Sequence, residues 1–134
     1  MSVPMDLAAV EAHARSLGAS LPGGSVVWLE GPMGAGKTTF ARALLAGRGV
    51  TEPGASPSYA IVHHHAGPRG DAYHLDCWRL RAPDEAADLD WETLLAADLL
   101  LIEWPERAGA YAPVPTHRLQ LIPVDADHRR VVGG

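Results

Sequence analysis

Residues 25–40 read Ser25-Val26-Val27-Trp28-Leu29-Glu30-Gly31-Pro32-Met33-Gly34-Ala35-Gly36-Lys37-Thr38-Thr39-Phe40. Three kinds of local physics meet in this stretch. Residues 25–30 form a short apolar run with β-branched members, the pattern of a buried strand. Gly31, Gly34 and Gly36 follow, and glycine takes positive φ and turns N–H groups inward with no Cβ in the way. From Lys37 the pattern is helical until Gly47 and Gly49, so a helix N-terminus points at the same turn with its dipole and free N–H donors. Strand, turn and helix together satisfy G-x-x-x-x-G-K-[ST], a phosphate cradle whose meaning depends on that strand-to-helix context. Lys37 supplies a compact charge on a flexible stem, able to follow β- and γ-phosphate oxygens. Thr38 offers a hydroxyl to Mg2+.

Composition sharpens this reading. Of the eleven basic residues in the 134-residue chain, Lys37 is the only lysine and the rest are arginines. A bias that replaces Lys by Arg has spared the one position where a planar guanidinium does not fit. The length predicts a single domain over residues 1–134, with the last residues frayed. A net charge of −5 argues against a dedicated nucleic-acid binder but leaves room for a local basic patch. The lone Cys77 excludes an intrachain disulfide and a cysteine-based zinc site. No apolar run approaches the about 20 residues that span a bilayer. No signal-peptide pattern opens the chain, so a cytoplasmic protein without membrane attachment is expected.

Working outward, residues 5–20 predict an amphipathic helix opening near Asp6, stopped by Pro22-Gly23-Gly24. Residues 50–58 read as a loop. Residues 59–65 and 71–78 predict two strands joined in a hairpin across residues 66–70. Residues 83–95 are acidic and helical, in one piece or two. Residues 98–104, Asp98-Leu99-Leu100-Leu101-Ile102-Glu103-Trp104, carry the strongest buried-strand signal in the chain. Residues 117–124 alternate as an edge strand would, and residues 129–132 predict a last short strand. The expected fold is α/β: a three-layer, P-loop NTPase-like sandwich with a mixed central sheet.

A Mg2+ site needs a protein carboxylate near the loop. Glu103 closes the apolar strand 99–103 and is the first candidate, in direct contact or through water. Asp76 closes residues 72–76 and is the second; its other roles are orienting the attacking water or coupling to a partner. Either carboxylate at a strand end also suits capping of a neighbouring helix.

Four ordered blocks resemble the TsaE (YjeE) family of bacterial tRNA threonylcarbamoyladenosine biosynthesis. They are Gly31 to Thr39; Ser56-Pro57-Ser58-Tyr59-Ala60-Ile61-Val62; Tyr73-His74-Leu75-Asp76-Cys77-Trp78-Arg79-Leu80; and Leu101-Ile102-Glu103-Trp104-Pro105-Glu106. The first is general to P-loop proteins, and the other three are specific. Ala55 and Ser58 stand where the family has threonines, and Trp78 where it has tyrosine. The resemblance implies an ATPase in which Gly34, Ala35, Gly36, Lys37, Thr38 and Thr39 cradle ATP. Thr38 and Glu103 would hold Mg2+, and Trp104 would pack beside the nucleotide. Lys37, Asp76 and Glu103 would carry the chemistry, and the loop from Ser56 to Tyr59 would respond to the γ-phosphate. Asp6 near the adenine and His128 near the last strand are further carry-overs. The implied partners are TsaD and TsaB, with tRNA met indirectly or through a local patch.

Other residues carry plainer readings. His63 and His65 share one strand face and suit a solvated strand end better than a metal site. His74, two residues before Asp76 on the same face, fits a hydrogen bond to the site or simple packing. Arg79 suits a phosphate or a surface acid. Asp84 to Asp98 reads as a solvated acidic face. Trp28 and Trp91 read as packing residues and Cys77 as a small buried hydrophobe. Two other functions fit the motif: a nucleotide-gated binding module with incidental hydrolysis, and a small-molecule kinase, which the short chain disfavours.

Overall fold

The computed structural model describes residues 3–50 and 61–133. The sequence reading of residues 50–58, and of the loop from Ser56 to Tyr59 with Ala55, falls almost wholly outside them. Among the described residues the elements run α1 (Leu7–Ser20), β1 (Ser25–Glu30), α2 (Lys37–Gly47), β2 (Val62–Gly67), β3 (Gly70–Asp76), α3 (Trp91–Leu95), β4 (Leu99–Glu103), β5 (His117–Pro123) and β6 (Arg129–Gly133). Three 3-10 segments, Cys77–Arg79, Pro83–Asp88 and Pro105–Tyr111, connect them.

One six-stranded sheet has the order β2-β3-β4-β1-β5-β6. β1 lies parallel to β4 and β5, and β3 parallel to β4, while the β2–β3 and β5–β6 hairpins are antiparallel. The sheet is therefore mixed, with a parallel centre, as the alternation of strand and helix signals predicts. Its buried middle strand explains the run in β4, where all five residues from Leu99 to Glu103 are buried.

Two apolar layers enclose the sheet. On one face Val10, Ala14 and Leu21 of the α1 region and Phe40, Ala41 and Leu44 of α2 pack on Val27, Leu29, Leu99, Leu101, Leu119 and Leu121. On the other, Leu75, Leu100 and Ile102 meet Leu80, which follows the first 3-10 segment, Ala86 and Ala108 of the other two, and Leu94 of the short α3. The acidic stretch expected to be helical is thus split. Asp90 caps α3 by accepting from Thr93 N–H at 3.2 Å, which separates it from the 3-10 turn before it.

The helix pair α1/α2 approaches closely through two glycines. A Cβ on Gly18 would lie 1.9 Å from the Leu44 carbonyl oxygen, and one on Gly47 would lie 1.9 Å from that of Arg15. Arg48, at the end of α2, is 2% exposed. Its guanidinium forks onto Asp98 (Nε to Oδ2 2.7 Å, Nη2 to Oδ1 3.0 Å) and donates to the Gly18 and Leu21 carbonyls. Asp98 is therefore part of a buried ion pair tying both helices to β4, not of a solvated face. Two further expectations need correction. β5 is an interior strand, because β6 pairs with its outer side. His65 is buried rather than solvated, and burial, followed by the neighbouring His74, His63 and His64, pulls its pKa below the ordinary histidine value. No helix among the described residues is long and apolar enough to cross a membrane.

Candidate functional site

Parallel pairing places the carboxyl ends of β3, β4 and β1 along one edge of the sheet. Asp76 stands opposite Glu103 and Glu103 opposite Leu29, so the two carboxylates lie in a row on the β4 side of the loop leaving β1. β1 sits between β4 and β5, where connections diverge to either side. Such a switch point opens a crevice for ligands at the strand ends.

Within the loop, Gly34 and Gly36 adopt φ of 80° and 91°, conformations that a side chain strains against. A Cβ at either would meet nothing within 4 Å, so both backbones face open space. Gly36 is the N-cap of α2 and carries no side chain to satisfy the first-turn N–H groups. That combination of open space, free donors and helix dipole is the chemistry of an anion cradle. Ala35 is buried beneath it, while Thr38 and Thr39 stand exposed on the first turn of α2.

Lys37 is 6% exposed. Its Nζ donates to the Gly31 carbonyl at 2.5 Å and lies 3.2 Å from the Trp104 ring centroid. Burial lowers its pKa, while Glu103, Glu106 and Asp76 act in the opposite direction. Trp104 reaches this position through an unusual backbone. With φ 55° and ψ 51° it is the only non-glycine residue of positive φ among the described residues. That conformation costs of order 1–2 kcal/mol in a bulky residue. It turns the chain sharply after β4 and brings the indole over the lysine.

Glu103 is 4% exposed and accepts a hydrogen bond at Oε2 from His74 Nε2. The two readings of His74 resolve in favour of a bond to the site. Asp76, half-buried, accepts from Trp78 N–H at 3.1 Å, which fixes its carboxylate at the strand end. Trp78 tilts against Trp104 with centroids 4.6 Å apart, and the Arg107 guanidinium lies 4.1 Å over Trp78. Arg79 is exposed. Cys77 is fully buried, and burial, with Asp76 and two glutamates behind it, pushes its thiol up to about 12.

Beside the glycine loop lies a cavity of about 250 Å³ lined by Leu7, Val10, Ala35, Gly36, Thr39, Ala126, Asp127 and Arg129. Asp6 and His128 flank this wall in sequence but are absent from its lining. Asp6 caps α1, accepting from Ala9 N–H at 2.8 Å. His128 pairs with Asp125 at 2.9 Å, and that bond raises the histidine pKa and lowers the aspartate's. Sequence reasoning missed Arg129, which hydrogen-bonds the Ala35 carbonyl through Nε at 3.1 Å and the Gly34 carbonyl through Nη2 at 3.3 Å. In a chain with ten arginines, nothing in its neighbourhood sets that one apart.

A parallel-centred α/β sheet, a glycine turn into a helix N-terminus and a buried lysine within the field of two strand-end carboxylates define a P-loop protein. A family model described as "Threonylcarbamoyl adenosine biosynthesis protein TsaE" matches residues 5–131, and the chain belongs to the TsaE family. A TsaE protein from Nostoc is 41% identical over 96 residues, covering 68% of this chain and 59% of the Nostoc protein. Those of Rickettsia bellii (32% identical; 87% of this chain, 81% of the relative) and Streptomyces coelicolor (37%; 80% and 73%) are also similar. Crystalline Bacillus subtilis YdiB superposes with a TM-score of 0.76 over 99% of this chain and 86% of its own, at 23% identity, a likeness of fold.

Proposed function

We propose that this chain is a single-domain, Mg2+-dependent ATPase. It would support the cytoplasmic complex that forms N6-threonylcarbamoyladenosine next to the anticodon of tRNAs reading A-starting codons. The observation that carries the reading is the juxtaposition of Lys37, Glu103 and Asp76 at one edge of the sheet, facing an open glycine cradle. Lys37 is the chain's one lysine, and it is buried where phosphate oxygens would arrive.

In this reading Gly34, Ala35, Gly36, Lys37, Thr38 and Thr39 bind the phosphates of ATP, and the cavity beside Leu7 and Arg129 takes the base side. The chemistry is attack of water on the γ-phosphorus, which asks the protein mainly for positioning and charge stabilisation. Lys37 follows the charge developing on the γ-phosphoryl oxygens. Asp76, held by the Trp78 amide, orients the attacking water. Thr38 and Glu103 would hold Mg2+, which neutralises phosphate charge when bound. Two protein ligands suffice for an ion that keeps several waters. The residues suit it: Glu103 bonds His74 through one oxygen and has a second for a cation.

Turnover in isolation should be slow. Lys37 is engaged with Gly31 and Trp104, and a nucleotide must draw it away. Partner proteins of the TsaD and TsaB kind would then complete the site, with tRNA met indirectly. The test measures ATP turnover and tRNA modification with and without those partners, for the natural sequence and Lys37→Ala. The reading expects partner-stimulated turnover and no modification with Lys37→Ala. Unchanged turnover together with full modification by Lys37→Ala would defeat it, and phosphate transfer to an added nucleoside or sugar would make the protein a kinase.

A further inference from the structure

Arg129 opens β6, yet its side chain leaves the sheet and grips the glycine loop. Four hydrogen bonds fix it: Nε on the Ala35 carbonyl, Nη2 on Gly34, and Nη1 on Asp125 (2.8 Å) and His128 (3.0 Å). Its backbone is held as well, exchanging N–H and carbonyl bonds of 2.8 and 2.7 Å with Met5. A half-buried guanidinium is thus locked against four carbonyl oxygens and no carboxylate.

The consequence for the loop follows from peptide geometry. In a trans peptide the carbonyl and the next N–H point to opposite sides of the plane. Holding the Gly34 carbonyl on Arg129 turns the Ala35 N–H the other way, where it closes a turn on the Pro32 carbonyl at 3.1 Å. Holding the Ala35 carbonyl sends the Gly36 N–H, at the N-cap of α2, to the side of the peptide away from Arg129. Gly36 has φ 91° and open space about its Cα, so without that grip its peptide plane has little steric reason to keep one orientation. Arginine suits the task because a planar fork reaches two successive carbonyls at once, which an ammonium cannot do in fixed geometry.

We infer that Arg129 is a positioning residue for the phosphate site: it clamps the Gly34 and Ala35 carbonyls so that the Gly36 amide is aimed at bound phosphate. The inference rests on the nucleotide-binding reading above. It makes the affinity for phosphate groups, rather than for the nucleoside, depend on a residue from the far end of the chain.

The experiment compares ADP and adenosine binding by calorimetry for the natural sequence, Arg129→Lys, Arg129→Ala and Lys37→Ala, with thermal melting of each. Clamping predicts that both Arg129 variants lose about tenfold in ADP affinity, the worth of one well-aimed hydrogen bond to a charged group. Adenosine affinity should fall by a clearly smaller factor than ADP affinity, since Arg129 is only one of the residues lining the cavity assigned to the base side. Parallel loss of ADP and adenosine would make Arg129 a wall of the cavity only and overturn the inference, as would unchanged ADP affinity. Should Arg129→Ala fail to fold, Arg129→Lys carries the test, with the Gly36 amide resonance followed through a pyrophosphate titration. The inference expects that resonance to shift strongly in the natural sequence and weakly in the variant; equal shifts would refute it. A natural protein that binds no ADP, or a Lys37→Ala variant that binds it undiminished, marks failure of the nucleotide reading instead.

Discussion

Lys37 is costly to the fold and indispensable to the site. An ammonium 6% exposed has lost most of its water, and burial outweighs the three carboxylates in setting its pKa direction. Lys37→Met should therefore melt no lower than the natural protein while losing ATP turnover; a lower melting temperature would show that the lysine stabilises the fold. The glycine loop and both strand-end carboxylates were legible in the sequence because their chemistry depends on local order: a turn, a helix start, a strand end. His74 was half legible, since a strand alternation puts it on the face of Asp76 but cannot say that Glu103 of the neighbouring strand is its partner. Arg48 and Arg129 were not legible. Both act on backbone carbonyls brought near by tertiary folding, and no side-chain pattern marks a carbonyl.

Among the elements, β1, α2 and β4 follow the sequence closely because each is buried and strongly patterned. β5 misled for a physical reason. Its Leu119 and Leu121 face the helical layer while Arg118, Gln120 and Ile122 are exposed, so its alternation reports one bare face of the sheet, not one bare edge. The α1/α2 contact depends on two absent side chains. Gly18→Ala or Gly47→Ala drives a methyl into a backbone carbonyl that cannot rotate away, and each should destabilise by about 1–3 kcal/mol in denaturant unfolding. A neutral result would mean the helices separate at little cost. The Arg48–Asp98 pair joins the same helices to β4. Arg48→Ala leaves a carboxylate buried without its cation and should cost roughly 3–5 kcal/mol; a loss below about 1 kcal/mol, typical of surface pairs, would contradict the burial seen here.

For the molecule as a whole, strand order is what makes a site of these parts, and it was the least legible feature. Nothing local says that β4 should lie beside β1 with β3 on its far side, yet that order sets Asp76, Glu103 and the loop on one edge. The whole-molecule response to acid has a definite sign. His65 has a pKa below 6.5 in the fold, so the unfolded chain binds its proton first and stability falls as pH drops through about 6.5 toward the folded value. The exposed His128, with its pKa raised by Asp125, works the other way, contributing below 6.5 and losing that contribution as pH rises through its folded value. Melting temperatures at pH 7.5 and 5.5 should therefore fall less for His65→Gln than for the natural sequence; an equal fall would remove His65 as the acid-sensitive group.

Mg2+-dependent ATP hydrolysis by Lys37→Arg tests most directly whether Lys37 meets phosphate. Charge is kept, but the planar guanidinium cannot follow the γ-phosphoryl group from within the glycine turn. Turnover should fall at least about a hundredfold with the melting temperature little changed, the scale of losing one transition-state donor. Hydrolysis at the natural rate by Lys37→Arg would mean that Lys37 does not serve the γ-phosphoryl group.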